Sequence, residues 1–354
     1  MKIKSRTTRS ALQHNFQNLK VSAAKPAPIL LGIGVLLAAM AAAVKYNTKK
    51  AERDNPPEGK FIDVDGARLH YLEKGTGDPL VLIHGNGTLA ADYQISTVFD
   101  QAARDHRVIA FDRPGYGYSD RPSKTVWTAS AQAALLHKAL QQLGIERPIV
   151  VAHSWGTLVA ISLALEQPQF VRSLVLLSGY YYPTPRLDVL FAAPMAIPLI
   201  GPLMRYTISP LVGRLIWPLA VRKLFTPTDQ PARFKHRFPM WMALRPAQLQ
   251  ANAGDGVIMI PEAIRLCDRY RELKMPVTIM AGAGDLLALP KLHSKRLHED
   301  IAHSKLIIVP GVGHMVHQVA PEEVMEAIKT ISMQSDAKQD DAKSAAFVAG
   351  YVTA

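Results

Sequence analysis

The sequence predicts an α/β fold, a mostly parallel sheet of eight strands with helices on both faces and a helical insertion late in the chain. Three observations carry this. Short apolar runs alternate with helical patterns from residue 61 to residue 179, the order that builds parallel strands joined by crossover helices. The alternation breaks at Tyr180 and resumes at Pro276, and the interval holds twelve prolines and no clear strand. The strand ends carry Ser154, Asp285 and His314, in that order along the chain.

Residues 1–25 form a basic tail, with Lys2, Lys4, Arg6, Arg9, Lys20 and Lys25 and no acid. Residues 26–44 are an uncharged run of 19 residues rich in Leu, Ile, Val and Ala. As a helix the run would be about 28 Å long, close to the hydrocarbon thickness of a bilayer. It reads as a transmembrane anchor. A cleaved signal is the rival reading, because Ala39-Met40-Ala41 and Ala41-Ala42-Ala43 suit a cleavage site. Four Lys/Arg flank it on the N-terminal side and five on the other, so basic residues alone do not orient it. The acid-free N-terminus favours the exported side for the folded domain; cleavage would release it as a secreted or periplasmic protein. Residues 45–60, with Pro56-Pro57, read as a linker.

Phe61–Val64 and Ala67–Glu73 are two strands of a hairpin turning at Asp65-Gly66. Pro79–Ile83 and Arg107–Phe111 are continuous apolar strands. The first leads into His84-Gly85-Asn86-Gly87, the second into Asp112-Arg113-Pro114-Gly115-Tyr116-Gly117. Thr128–Leu143 is helical, with apolar residues at 131, 134, 135, 139 and 143. Strands follow at Pro148–Ala152 and Ser173–Leu177, with a helix over Leu158–Glu166 between them. Residues 180–274 read as several short helices forming a lid. Strands resume at Pro276–Met280 and Lys305–Val309, with helices over Leu286–His298 and Pro321–Met333. Residues 61–179 and 275–333 thus form the core, and 334–354 a small, polar, disordered tail.

Ser154 sits between a buried strand and a helix, with Ala152 two residues before it and Gly156 two after. Small neighbours at those positions suit a sharp turn that lifts a nucleophilic hydroxyl above the sheet. The first of them departs from the G-x-S-x-G form. A serine hydroxyl needs an adjacent base. His314 is the candidate base and Asp285 the candidate partner that orients it. Each has a plainer reading alone, Asp285 as a helix cap and His314 as a loop histidine. Together, at the carboxyl ends of successive strands, they mark one site.

With these residues in view, the chain resembles the α/β-hydrolase superfamily in its capped branch of esterases, carbon–carbon-bond hydrolases, dehalogenases and epoxide hydrolases. The resemblance covers about residues 60–333 and rests on His84-Gly85, Asp112 to Gly117, the Ser154 elbow, Gly284-Asp285 and Gly313-His314. It implies a Ser154–His314–Asp285 triad and an oxyanion hole made by the backbone N–H groups of Asn86 and Trp155. Asn86 and Trp155 also stand where haloalkane dehalogenases place halide-holding side chains. Those enzymes use an aspartate nucleophile; Ser154 attacking an alkyl halide would leave an ether that water does not readily cleave. Serine therefore points to acyl chemistry on a small apolar ester or related compound, with no cofactor and no metal. Carbon–carbon-bond hydrolysis, peroxyacid formation as in cofactor-free haloperoxidases, and a non-catalytic ligand-binding role of the same fold are the alternatives.

The net charge of +12 suggests a nucleic-acid partner, but residues 1–60 carry +8 of it and the other 294 residues only +4. No aromatic-studded basic stripe accompanies it, so nucleic acid is not an expected partner. The lid is basic in its own right, with 13 Lys/Arg against 6 Asp/Glu over residues 182–274. This is a solvated basic face in the plainer reading, a lipid-facing or anion-facing one in the other. His153 and the Asp112-Arg113 pair are expected to brace loops. Cys267, the single cysteine, is expected to pack. Neither substrate identity nor oligomeric state is legible.

Overall fold

The computed structural model describes residues 26–352 except 187, 188, 190 and 191, with the side chains of Pro26 and of residues 337–352 left aside. Eight strands form one sheet: β1 (Lys60–Val64), β2 (Ala67–Lys74), β3 (Asp78–Ile83), β4 (His106–Phe111), β5 (Ile149–His153), β6 (Ser173–Leu177), β7 (Val277–Gly282) and β8 (Lys305–Val309). Their order is β1-β2-β4-β3-β5-β6-β7-β8. β1 pairs antiparallel with β2 and β2 with β4; the other pairs are parallel. The first two strands join through Asp65 and Gly66, both at positive φ (49° and 77°), the turn geometry an Asp-Gly pair favours.

The longer helices are α1 (Pro26–Asp54), α2 (Ala129–Gln142), α3 (Gly156–Glu166), α4 (Ile208–Phe225), α5 (Pro246–Cys267) and α6 (Pro321–Val352). Alternate strand residues feed two separate cores. Val81, Ile83, Ile109, Phe111, Val150 and Ala152 pack with α2 and α3 on one face. Leu80, Leu82, Val108, Ala110, Ile149 and Val151 pack with Val324, Ile328 and Ile331 of α6 on the other. With apolar side chains needed on both faces, strands β3 to β7 read as continuous apolar runs. Between β6 and β7 the described residues form helices and turns and no strand. These inserted helices lie over the carboxyl ends of the strands, with α5 contributing Met259, Ala263 and Leu266 to the first core.

Three expected boundaries differ. The helix placed at 26–44 continues through the expected linker to Asp54, where i,i+3 and i,i+4 pairs (Lys49–Glu52 and Lys50–Asp54) support it until Pro56-Pro57 approaches. The helix expected over Leu286–His298 is confined to Ser294–Asp300. The Asp285 carboxylate takes the Leu287 and Ala288 N–H groups, and Pro290 has none to give. The tail expected to be disordered over 334–354 is helical as far as Val352. It extends a helix already nucleated, and its Ala-rich sequence holds no proline to stop it.

Candidate active site

Ser154 follows β5 with φ 51°, a left-handed conformation that few side chains adopt. Its N–H donates to the Leu177 carbonyl at 2.9 Å, which ties the turn to the end of β6. A Cβ on Gly156 would lie 2.6 Å from the His84 carbonyl oxygen and 2.7 Å from that of Ile83. Only glycine lets α3 start this close to the end of β3. Ser154 stays partly exposed while the elbow around it is buried.

The three residues expected together are together. His314 Nδ1 donates to Asp285 Oδ2 at 2.8 Å, which leaves Nε2 to accept the Ser154 hydroxyl at 3.0 Å. Asp285 Oδ1 accepts from the N–H groups of Leu287 (2.8 Å) and Ala288 (2.9 Å). Burial pushes the Asp285 carboxyl up. The His314 imidazole and its hydrogen bond, with those two N–H groups, outweigh burial and hold it below the usual carboxylate range. The His314 N–H donates to the Leu224 carbonyl at 2.9 Å, so the last turn of α4 fixes the loop that carries the imidazole.

The loop after β3 brings the Asn86 N–H to the elbow that carries the Trp155 N–H. A Cβ on Gly85 would sit 3.0 Å from that of Ser154, so the Gly85-Asn86 peptide lies against the serine. Its carbonyl accepts from His84 Nδ1 (2.7 Å), Arg113 Nη2 (3.1 Å) and Thr88 Oγ1 (3.3 Å). In a trans peptide the Asn86 N–H points the opposite way, so donors on the carbonyl fix the direction of the N–H. Among the described residues neither the Asn86 nor the Trp155 N–H has an acceptor. Burial, with the Arg113 charge, lowers His84 to about 3; it is neutral, with Nε2 free to accept the Arg113 N–H at 3.0 Å.

Arg113 is the hub behind this loop. Fully buried, it reaches Asp255 Oδ2 (2.6 Å), Asn86 Oδ1 (2.7 Å), the His84 carbonyl (2.9 Å) and Gln132 Oε1 (3.0 Å). Its guanidinium lies 4.4 Å from the Tyr116 ring centre and 4.6 Å from that of Trp155. Asp255, on α5, also accepts from Arg121 (2.8 Å), Tyr116 (3.1 Å) and Gln132 (3.3 Å). The sequence singled out Arg113 as a brace but missed Asp255. A carboxylate between Gly254 and Gly256 was its one visible signal.

The matching family model describes the α/β-hydrolase fold and covers residues 78–321, well over half of the chain. The chain belongs to the α/β-hydrolase family. It is 27% identical to haloalkane dehalogenase 2 of Mycobacterium tuberculosis over 286 residues, 77% of this chain and 94% of that protein. It is 34% identical to 2-hydroxymuconate semialdehyde hydrolase of Pseudomonas sp. strain CF600 over 132 residues, 36% of this chain and 46% of that one. Among solved structures, a bacterial membrane phospholipase A has the same fold with a TM-score of 0.61 and 19% identity, covering 88% of this chain and 97% of that chain.

In this α/β hydrolase the side chains of the two residues beside the elbow are committed inward. Trp155 Nε1 donates to the Asp255 carbonyl at 3.0 Å, and Asn86 Oδ1 accepts from both Arg113 and Tyr116. An indole N–H turned to a backbone oxygen is not presented to a halide. His153 donates from Nε2 to the His314 carbonyl at 3.1 Å, and its ring packs between those of His314 and His317. Burial, reinforced by those two histidines, drives it far below the ordinary imidazole range, so it braces as a neutral ring. His317 in turn pairs with buried Asp92 at 2.8 Å. His293 accepts the Tyr181 N–H at 3.1 Å and is lowered to about 4 by burial. Cys267 is half-buried at the end of α5.

Proposed function

We propose that this hydrolase cleaves an ester or related acyl bond of a small apolar substrate with Ser154 as nucleophile. The observation that carries the reading is the unbroken hydrogen-bond chain from Ser154 Oγ through His314 to Asp285. Ser154 Oγ attacks the acyl carbon as His314 Nε2 takes its proton. The carboxylate of Asp285, kept ionised, stabilises the imidazolium that results. The oxygen that becomes negative lies against the Asn86 and Trp155 N–H groups, which are oriented beforehand. Each such donor is typically worth about 3 kcal/mol of transition-state stabilisation. His314 then returns the proton to the leaving group, and a water attacks the acyl-serine by the reverse route. The test is labelling with a fluorophosphonate probe. Wild type is expected to label and Ser154→Ala to remain unlabelled; equal labelling of the two would refute the reading.

Serine in the nucleophile position, with the Trp155 indole turned away, disfavours dehalogenation despite the relationship to a haloalkane dehalogenase. Carbon–carbon hydrolysis is the second reading, favoured by the 34% identity to the semialdehyde hydrolase over part of the chain. Turnover of a vinylogous diketone in preference to p-nitrophenyl esters would select it. We also propose that α1 is a retained membrane anchor. One helical face, from Leu37 through Val44 and Ala51 to Glu52, is covered by the protein, and cleavage at residues 39–43 would discard its first part, Leu37, Met40 and Ala41.

A further inference from the structure

The exposed apolar side chains are not scattered. Of the 24 large ones among the described residues, seven lie on α1 and ten between residues 197 and 219. On α4 they recur at Ile208, Val212, Leu215, Ile216 and Leu219, one continuous stripe of a helix, with Leu215 at 79% and Leu219 at 71% exposure. Leu199, in the turn before the helix Ile200–Tyr206, is 89% exposed. A soluble surface rarely keeps so large a contiguous patch. The stripe ends in Arg222 and Lys223, placed as cations at the edge of a lipid-facing surface are placed.

This patch adjoins α1. α1 packs against α4 and against the helices Ile200–Tyr206 and Met240–Ala243. The contact begins inside the uncharged run: Leu37, Met40 and Ala41 are partly covered and Val44 is buried, whereas the first charge is Lys45. Ala41 and Val44 line a cavity of about 440 Å³ opposite Tyr206. At 1.5 Å per residue, Leu37 lies about 12 Å beyond Lys45 along the helix. The joint is fixed at its other end. Arg245 pairs with Glu52 at 3.3 Å, and the Tyr118 hydroxyl donates to the Asn55 carbonyl. If the uncharged run occupies hydrocarbon, the helices beside its last two turns stand at the same depth, in the range where amphipathic helices lie in an interface.

We propose that the inserted helices, with α4 foremost, are embedded in the bilayer beside α1, and that the acyl substrate is an ester resident in that bilayer. The proposal rests on the reading of α1 as an anchor and of Ser154 as the nucleophile. α4 links the surface to the site. Its stripe faces outward, and its last turn supplies the Leu224 carbonyl that holds the His314 N–H. Beside that turn, a cavity of about 300 Å³ is lined by Lys223 and by Leu286, Leu287, Leu289 and Leu292, the residues that follow Asp285. An acyl chain leaving the membrane along α4 would meet these leucines, which share the cavity with Arg186 and His293.

The test uses the full chain in phosphatidylcholine vesicles, with Cys267→Ala as background and a fluorophore on a cysteine at residue 215, 35 or 329. Leu215→Cys and Val35→Cys are expected to be quenched by acyl-chain nitroxide lipids and shielded from iodide, and Lys329→Cys to show the opposite. Residue 35 in lipid with residue 215 open to iodide would overturn the proposal while leaving the anchor in place. Residue 215 shielded from both quenchers would overturn it in favour of a second copy of the chain. Residue 35 open to iodide would remove the anchor and the proposal with it. For the substrate, Leu215→Glu with Leu219→Glu is expected to keep hydrolysis of a soluble short-chain p-nitrophenyl ester. Hydrolysis of a long-chain ester dispersed in the vesicles should fall by at least about tenfold, the effect of losing apolar insertion. Equal effects on the two esters would overturn the bilayer-substrate half. Absence of wild-type turnover of either ester would instead count against the acyl-hydrolase reading itself.

Discussion

Replacing Asp255 by Asn removes one charge and keeps the shape. The carboxylate now receives four donors, two on each oxygen: Arg113 and Tyr116 on Oδ2, Arg121 and Gln132 on Oδ1. An amide offers one oxygen and one NH2, so two of the four donors would face a donor. Arg113, fully buried, would also lose its counter-charge. Removing one partner of a buried pair typically destabilises by about 3–5 kcal/mol. The retained amide oxygen places the expected loss at the lower end, about 3 kcal/mol. Urea unfolding followed by tryptophan fluorescence in detergent would measure it. A loss below about 1 kcal/mol would refute the argument that this pair holds the insertion to the core. A second variant separates folding from function. Arg113→Met with Asp255→Leu is expected to recover part of the stability, since it removes the unpaired buried charge but leaves Tyr116, Arg121 and Gln132 without their acceptor. It should not recover kcat, because the Gly85 carbonyl and the Asn86 side chain lose the guanidinium that orients the Asn86 N–H. Full recovery of kcat would show that Arg113 has no part in positioning that N–H.

Asp285→Asn, measured by steady-state ester hydrolysis, should lower kcat by about 10⁴, because an amide no longer selects the Nδ1–H tautomer or stabilises imidazolium. Gly156→Ala brings a methyl group against the His84 and Ile83 carbonyls; it should cost about 1–3 kcal/mol by urea unfolding and lower kcat by shifting Ser154. Acid stability follows from the histidines buried neutral. His84 at about 3 and His293 at about 4 lie below the unfolded value near 6.5, so the unfolded chain takes up protons first as pH falls. Their contribution is complete above the unfolded value and is lost as pH falls toward the folded values. From about pH 7 to about pH 5.5 each should cost roughly 1.2 kcal/mol. An unfolding midpoint unchanged over that interval would contradict their burial as neutral rings.

The sheet was legible because its physics is local. Strands covered on both faces must be apolar throughout, and the turns between them carry glycine, proline and aspartate. The Ser154, Asp285 and His314 positions were legible for a related reason: each interrupts an apolar strand at the end where ligands bind in parallel sheets. Asp255 was not legible. Its partner Arg113 is 142 residues away, and the path between them runs through proline-rich helices whose packing no periodicity specifies. The Asp92–His317 pair behind the site spans 225 residues and was hidden in the same way. Helix ends were misjudged where side chains compete for backbone groups, as Asp285 does for the Leu287 and Ala288 N–H groups. The apolar stripe of α4 was present in the sequence, but the lid's basic residues left a solvated and a lipid-facing reading side by side, because composition alone does not say which side of a lid faces out.

Hydrolysis through Ser154 requires that its hydroxyl become covalently acylated. Intact-mass and peptide mass spectrometry after rapid quenching of a p-nitrophenyl ester reaction tests it directly. One acyl group per chain is expected, on the peptide containing Ser154 and absent in Ser154→Ala. Ester turnover with no acyl group on that peptide, or with the group on another residue, would contradict it.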